Sequence, residues 1–230
     1  MDASLMNGEN LQAGAIAATT CIKNPIFAAR MVMDRSDHVL LTGSGAEEFA
    51  AKQGLEIVDP VYFFTPARWE EYQQSRDQAG QSFERLKPKP GTVGAVALDK
   101  SGNLAAGSST GGLIYKKYGR LGDSPIIGAG IYADNAACAV SCTGEGEFFL
   151  RRAAAKRIAA LVEFGGFSLE SAAWAVLENI RTLGGKGGVI AVDTAGHSAI
   201  SFTTRGMFRG LAREGEMDLV AMFGPPDTWR

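Results

Sequence analysis

The chain has 230 residues, 46% of them hydrophobic and 21% charged, with a formal net charge of -2, which describes an ordinary globular core and leaves no electrostatic footprint for nucleic acid or an anionic membrane surface. Its three cysteines (Cys21, Cys138, Cys142) are too few and too odd for a disulfide framework, and its two histidines (His38, His197) lie far apart, with no Cys/His spacing that suits zinc. No stretch approaches the roughly 20 apolar residues of a membrane span, and Met1-Asp2-Ala3-Ser4 lacks the basic and apolar regions of a secretory signal, so a soluble cytoplasmic protein is expected.

In chain order, the small residues from Ala13 to Thr20 suit a tightly packed strand that ends at Asn24-Pro25. Pro25 to Asp34 reads as a helix, with Ile26, Ala29, Arg30 and Met33 spaced for one face. His38 to Leu41 is a short strand, and Gly43-Ser44-Gly45 turns into a helix from Ala46 to about Gln53, closed by Gly54. Glu70 to Pro90 is polar and ends in Lys87-Pro88-Lys89-Pro90, which cannot continue a helix. It reads as helix, then exposed linker.

After the linker the texture becomes apolar. Thr92 to Leu98 is a strand without polar alternation, so both its faces are expected to be covered. Asp99 to Gly102 is a hairpin turn, and Asn103 to Ser109 the return strand. Ala137 to Thr143 is a further strand, and Glu147 to Phe164 one continuous helix. Ser168 caps the next helix. Gly187 to Asp193 and Ser198 to Thr204 form a second hairpin, and Met217 to Phe223 a last strand. Hairpins and helix pairs without strict β-α-β alternation favour an α+β class with stacked sheets and helices outside.

Four segments draw attention for chemistry: Gly91-Thr92-Val93-Gly94-Ala95-Val96, Ser108-Ser109-Thr110-Gly111-Gly112, Gly119-Arg120-Leu121-Gly122-Asp123-Ser124-Pro125 and Ser141-Cys142-Thr143-Gly144-Glu145-Gly146-Glu147. Each alone has a bland reading as strand, turn or solvated ion pair. Elsewhere, Gly184-Gly185-Lys186-Gly187-Gly188 lacks Walker spacing and reads as a turn before a strand. Gly43-Ser44-Gly45 reads as a strand-to-helix turn; Cys138, Cys142, Phe148, Phe149 and Trp174 read as core.

In this order and spacing, the four segments resemble the isoaspartyl-peptidase / plant-type asparaginase family of threonine N-terminal-nucleophile hydrolases. Met1 to Gly8, Lys23-Asn24-Pro25 and His38-Val39-Leu40-Leu41 are similar to that family's first subunit, and Thr92 onward to its second. The resemblance implies a four-layer αββα sandwich, incomplete at its N-terminus. Residues 1–91 would form the first-subunit part and 92–230 the second, within one structural domain. It implies self-cleavage of the Gly91-Thr92 bond, leaving Thr92 as nucleophile with its own α-amine as base. Thr110 would orient the Thr92 hydroxyl, and Thr143 with Gly144 would form the oxyanion hole. Arg120 would take the substrate's α-carboxylate and Asp123 its α-ammonium, with Gly144 and Gly146 completing the substrate site. The substrates implied are asparagine and β-aspartyl dipeptides, and the assembly a homo-oligomer, a dimer of cleaved precursors. A glycosylasparaginase-like hydrolase stays open as an alternative, as does a chain that does not cleave and serves as a binding module.

The family pattern begins upstream of Met1, with a strand, a glycine-rich turn, helices and a sodium-binding loop that have no match here. No metal or other cofactor is therefore expected. An internal strand edge is expected to lie open, with poor stability or self-association. Leu113 to Tyr118 stands where a more polar run beside the substrate is expected, and Glu145 where a small or hydroxyl residue is common, putting negative charge near the oxyanion hole.

Overall fold

The computed structural model describes residues 1–79 and 91–224. Two hairpins build its first sheet. β1 (Asp2–Asn7) pairs antiparallel with β2 (Ala13–Ala17), and β3 (Leu40–Thr42) joins β2 in parallel. On the other side of β1 lies β5 (Leu104–Thr110), then β4 (Thr92–Leu98) at the edge, giving the order β3-β2-β1-β5-β4. Strands from both sides of Gly91 thus share one sheet.

α1 (Pro25–Arg35) lies on β1 and β2. Gly14 makes the approach possible, because a Cβ there would come within 2.1 Å of the Ala29 carbonyl oxygen. The buried face of α1 is Ala28, Ala29 and Val32, with Arg30 exposed, so the face read from the sequence was rotated. Small residues on the facing β2 set the close distance; Ile26 and Met33 are only half-buried at the margin of this face. α2 (Gly43–Lys52) starts at Gly43, three residues before its expected start, and α3 spans Pro66–Ala79. The expected linker at 80–90 lies outside the described residues.

The second sheet has the order β6-β7-β8-β9, from β6 (Ile131–Ala133), β7 (Cys138–Gly144), β8 (Gly187–Asp193) and β9 (Ser198–Phe202). α5 (Ala154–Glu163) and α6 (Leu169–Thr182) pack on it, burying Ile158, Val176, Leu177 and Ile180 with Cys138, Val140, Cys142 and Val189. Phe148 and Phe149 are buried in this core, and Trp174 packs against it. The Ser168 hydroxyl accepts from the Ser171 N–H, a simple cap for α6.

The continuous helix expected from Glu147 to Phe164 is instead two, α4 (Gly146–Arg152) and α5, broken at Ala153 with φ 46°. The break has a partner elsewhere. The N–H groups of Ala155 and Lys156 donate to the carbonyls of Ala129 and Gly128, which satisfy the first turn of α5 from outside the helix. β1 and β6 were not read from composition. β1 mixes Asp, Ser and Asn into a buried strand, and β6 is only three residues long. The last strand shrinks to β11 (Leu219–Ala221), paired with β10 (Arg209–Leu211).

The two sheets meet where β4 and β5 cross β7 and β8, and where β1 meets β6. Met6, Leu104, Ala106, Ile131, Ala133 and Ala139 fill the space between them. At Gly94 a Cβ would lie 2.2 Å from the Ser141 hydroxyl, so only glycine lets β4 approach β7 here. β4 is not covered on both faces as expected: it is an edge strand, and Val93 is 75% exposed. Three of its seven residues, Gly94, Ala95 and Ala97, present little apolar surface to demand burial, and Val96 and Leu98 are half-buried.

Candidate active site

Thr92 opens β4 and Thr110 closes β5, and the antiparallel register sets them directly opposite. Their hydroxyls are 3.4 Å apart, at the long limit of an O–H···O contact. The Thr110 hydroxyl also accepts the Gly112 N–H at 3.0 Å, which fixes its rotamer. Gly91 is exposed, and nothing among the described residues lies within 4 Å of where a Cβ on it would stand.

Thr92 borders a cleft of about 630 Å³ whose walls include Thr143, Gly144, Glu145, Lys186 and Met207. Gly144 ends β7 with φ +148°, and a Cβ there would lie 2.4 Å from the Lys186 carbonyl oxygen and 2.9 Å from the Phe149 ring. No side chain fits, which holds the Thr143-Gly144 backbone beside Thr92 in one conformation. Glu145 does not lean into the cleft as an unattended charge. Its carboxylate accepts the Lys186 N–H at 2.9 Å, and its own N–H donates to the Lys186 carbonyl at 3.0 Å.

Arg120, Asp123 and Gly146 form a second group, joined to the first through the Thr143–Glu147 segment and not lining the cleft itself. A Cβ on Gly146 would lie 2.8 Å from Asp123 Oδ1 and 3.0 Å from Arg120 Nη2, so this glycine makes room for both head groups. Asp123 is 4% exposed, and its Oδ2 has no hydrogen-bond partner among the described residues. Burial pushes its carboxyl up to about 6, against the pull of the Arg120 cation and with a further push from Glu147. Sequence reading missed Glu147. Its carboxylate grips Arg120 with both oxygens, at 2.9 Å to Nε and 2.8 Å to Nη2. The two residues are 27 apart in sequence, and no local pattern announces the pair. Leu113 to Tyr118 does not border the cleft; Tyr115 packs on Tyr72 of α3, and Lys116 bonds to the buried Asp2.

The model of the asparaginase family matches residues 1–222 of this chain. The chain belongs to that family. It is 49% identical over 231 residues to the isoaspartyl peptidase of Salmonella typhimurium, an alignment covering 97% of this chain and 74% of that protein. Identity to the Escherichia coli isoaspartyl peptidase is 47%, covering 97% and 72% of the two chains. Identity to the human isoaspartyl peptidase/L-asparaginase is 39%, covering 99% and 73%. In this member of the asparaginase family, no group of three or more His, Cys, Asp or Glu among the described residues is placed to hold a metal ion.

Proposed function

We propose that this asparaginase-family chain cleaves itself before Thr92 and then hydrolyses asparagine and β-aspartyl dipeptides. The observation that carries the reading is the Thr92–Thr110 hydroxyl contact at 3.4 Å, with Thr92 on the wall of a cleft shared with Thr143 and Gly144. In the first reaction the Thr92 Oγ attacks the Gly91 carbonyl and displaces the Thr92 nitrogen, giving an ester. Water opens the ester, leaving a Gly91 carboxylate and a Thr92 α-amine. That amine, with a reference pKa of about 7.7–8.0, takes the hydroxyl proton in the second reaction.

The substrate's side-chain carbonyl then receives Oγ. Its oxygen gains negative charge, which the Thr143 hydroxyl and the Gly144 N–H stabilise; one such donor contributes about 3–4 kcal/mol. The leaving nitrogen departs with the proton as ammonia, or as the amine of the second residue of a dipeptide. Water then hydrolyses the ester and releases aspartate. Arg120 and Asp123 hold the head group, so that an α-amino acid presents its β-carbonyl and not its α-carboxylate. We read the two sheets, with α1 and α2 outside one and α5 and α6 outside the other, as the four-layer αββα sandwich of N-terminal-nucleophile hydrolases. In this reading residues 1–91 and 92–230 become two subunits of one domain, and cleaved precursors pair.

The test is intact mass and a denaturing gel on protein held at neutral pH, followed by asparagine, β-aspartyl dipeptides and sugar-linked asparagine as substrates. Two pieces meeting at Gly91-Thr92, with release of aspartate from the first two substrates, support the proposal. A persistent single chain with no turnover rejects it. Turnover of the sugar-linked substrate alone replaces it with a glycosylasparaginase.

A further inference from the structure

Arg120 carries the contact with the substrate's carboxylate in the reading above, and the structure shows what holds Arg120. Its guanidinium has two edges that can each form a parallel pair of hydrogen bonds. The Glu147 carboxylate occupies one of them side-on, through Nε at 2.9 Å and Nη2 at 2.8 Å. The Nη1 end donates to nothing among the described residues, and Nη2 keeps a second N–H. The head group is also boxed in by backbone. A Cβ on Gly122 would lie 2.8 Å from Nη1 and 3.4 Å from Cζ, and one on Gly146 3.0 Å from Nη2.

We propose that Glu147 is a positioning residue: it fixes the Arg120 guanidinium by its Nε–Nη2 edge so that the Nη1–Nη2 edge is presented to the substrate's α-carboxylate. The inference rests on the functional reading above. An arginine suits this role where a lysine would not, since a lysine has no second edge to be held by. The Arg120–Glu147 pair is part-exposed, with side chains 19% and 43% accessible, so its value lies in orientation more than in stability. The rival reading of the same contact is a plug, in which Glu147 occupies the carboxylate's place and must leave before substrate binds.

Glu147→Gln separates the two. The amide keeps the shape but turns one acceptor into a donor facing an N–H, which breaks the fork. For a positioning residue, KM for asparagine rises about tenfold or more with kcat of the cleaved enzyme within about threefold, because ground-state binding and not the reacting atoms is disturbed. L-Aspartate binding followed by calorimetry weakens in parallel. Glu147→Asp, which keeps the charge but shortens the reach, is impaired in the same direction, and it carries the test if the glutamine variant fails to melt cooperatively. In the double variant with Arg120→Lys, Glu147→Gln adds no further loss, since it acts through the guanidinium. An unchanged or lowered KM, or a fall in kcat with KM held, overturns the inference while the wild-type enzyme still turns over. If the wild-type protein neither turns over asparagine or β-aspartyl dipeptides nor binds L-aspartate, the functional reading itself falls and takes this one with it.

Discussion

The Thr92 and Thr110 hydroxyls face each other across the last paired position of β4 and β5. Because Thr110 also accepts the Gly112 N–H, its oxygen is oriented before any reaction begins. Thr110→Val keeps the branched shape and removes only the hydroxyl. Cleavage at Gly91-Thr92 should slow by about 10–100-fold, the worth of one hydrogen bond of roughly 1.4–2.7 kcal/mol to a group that gains charge. Thr110→Ser should retain most of the rate. The fraction of chain cut over time on a denaturing gel checks both.

Gly144 tests the backbone of the same site. With φ +148° and the Lys186 carbonyl 2.4 Å from where a Cβ would stand, an alanine has nowhere to go without moving β7 from β8. Gly144→Ala should lower stability by about 2–4 kcal/mol and, in whatever fraction folds, abolish turnover. A thermal melt beside an activity assay reads both. A variant that melts like wild type and turns over would mean that the loop relaxes freely and that the oxyanion site is elsewhere.

The sequence made parts of this arrangement legible and hid others for physical reasons. The β4–β5 hairpin is local, with Asp99 accepting the Ser101 and Asn103 N–H groups in the turn, so its register and the Thr92–Thr110 pairing follow from a short stretch of chain. Thr143, Gly144, Arg120 and Asp123 were named through resemblance, which carries long-range information that periodicity does not. The break at Ala153 could not be read locally, because the carbonyls of Gly128 and Ala129 that receive the first turn of α5 are distant in sequence. The Glu147 fork on Arg120 was hidden for the same reason. The exposure of β4 was hidden because its place at the sheet edge depends on which strands pair with it, which an apolar run does not state.

That exposed strand carries its own prediction. Among the described residues β4 pairs with β5 on one side only, and its residues include no charge and no proline to discourage a further strand. Val93, 75% exposed, is the largest apolar side chain offered there. The chain should self-associate as concentration rises, and Val93→Lys should shift light scattering toward the smaller species without lowering the melting temperature by more than about 3 °C, as surface changes rarely exceed about 0.5 kcal/mol. Concentration-independent scattering of the wild-type chain would remove the edge as a liability.

Under the proposed function, Asp123 links stability to activity with opposite signs. Its carboxyl is raised from the ordinary 3.8 to about 6, chiefly by burial. Between those two values the folded chain holds a proton that the unfolded chain has released. The stabilising contribution is therefore largest at low pH and is lost as pH rises through about 6, leaving a cost of roughly 3 kcal/mol at neutral pH. Asp123→Asn removes the ionisation. At pH 7.5 it should raise the melting temperature by about 4–8 °C if most of that cost is recovered, and at pH 4 the two proteins should melt together. The substrate's ammonium has no reason to prefer the amide, so the same variant should lose binding of asparagine. On the proposed contact between Asp123 and the substrate's ammonium, KM should climb as pH falls below 6, because the Asp123 carboxylate is being protonated. A variant that is no more stable at pH 7.5 would show that the unpartnered Oδ2 is satisfied by solvent reaching the site, and an unchanged KM in that variant would move the ammonium contact away from Asp123.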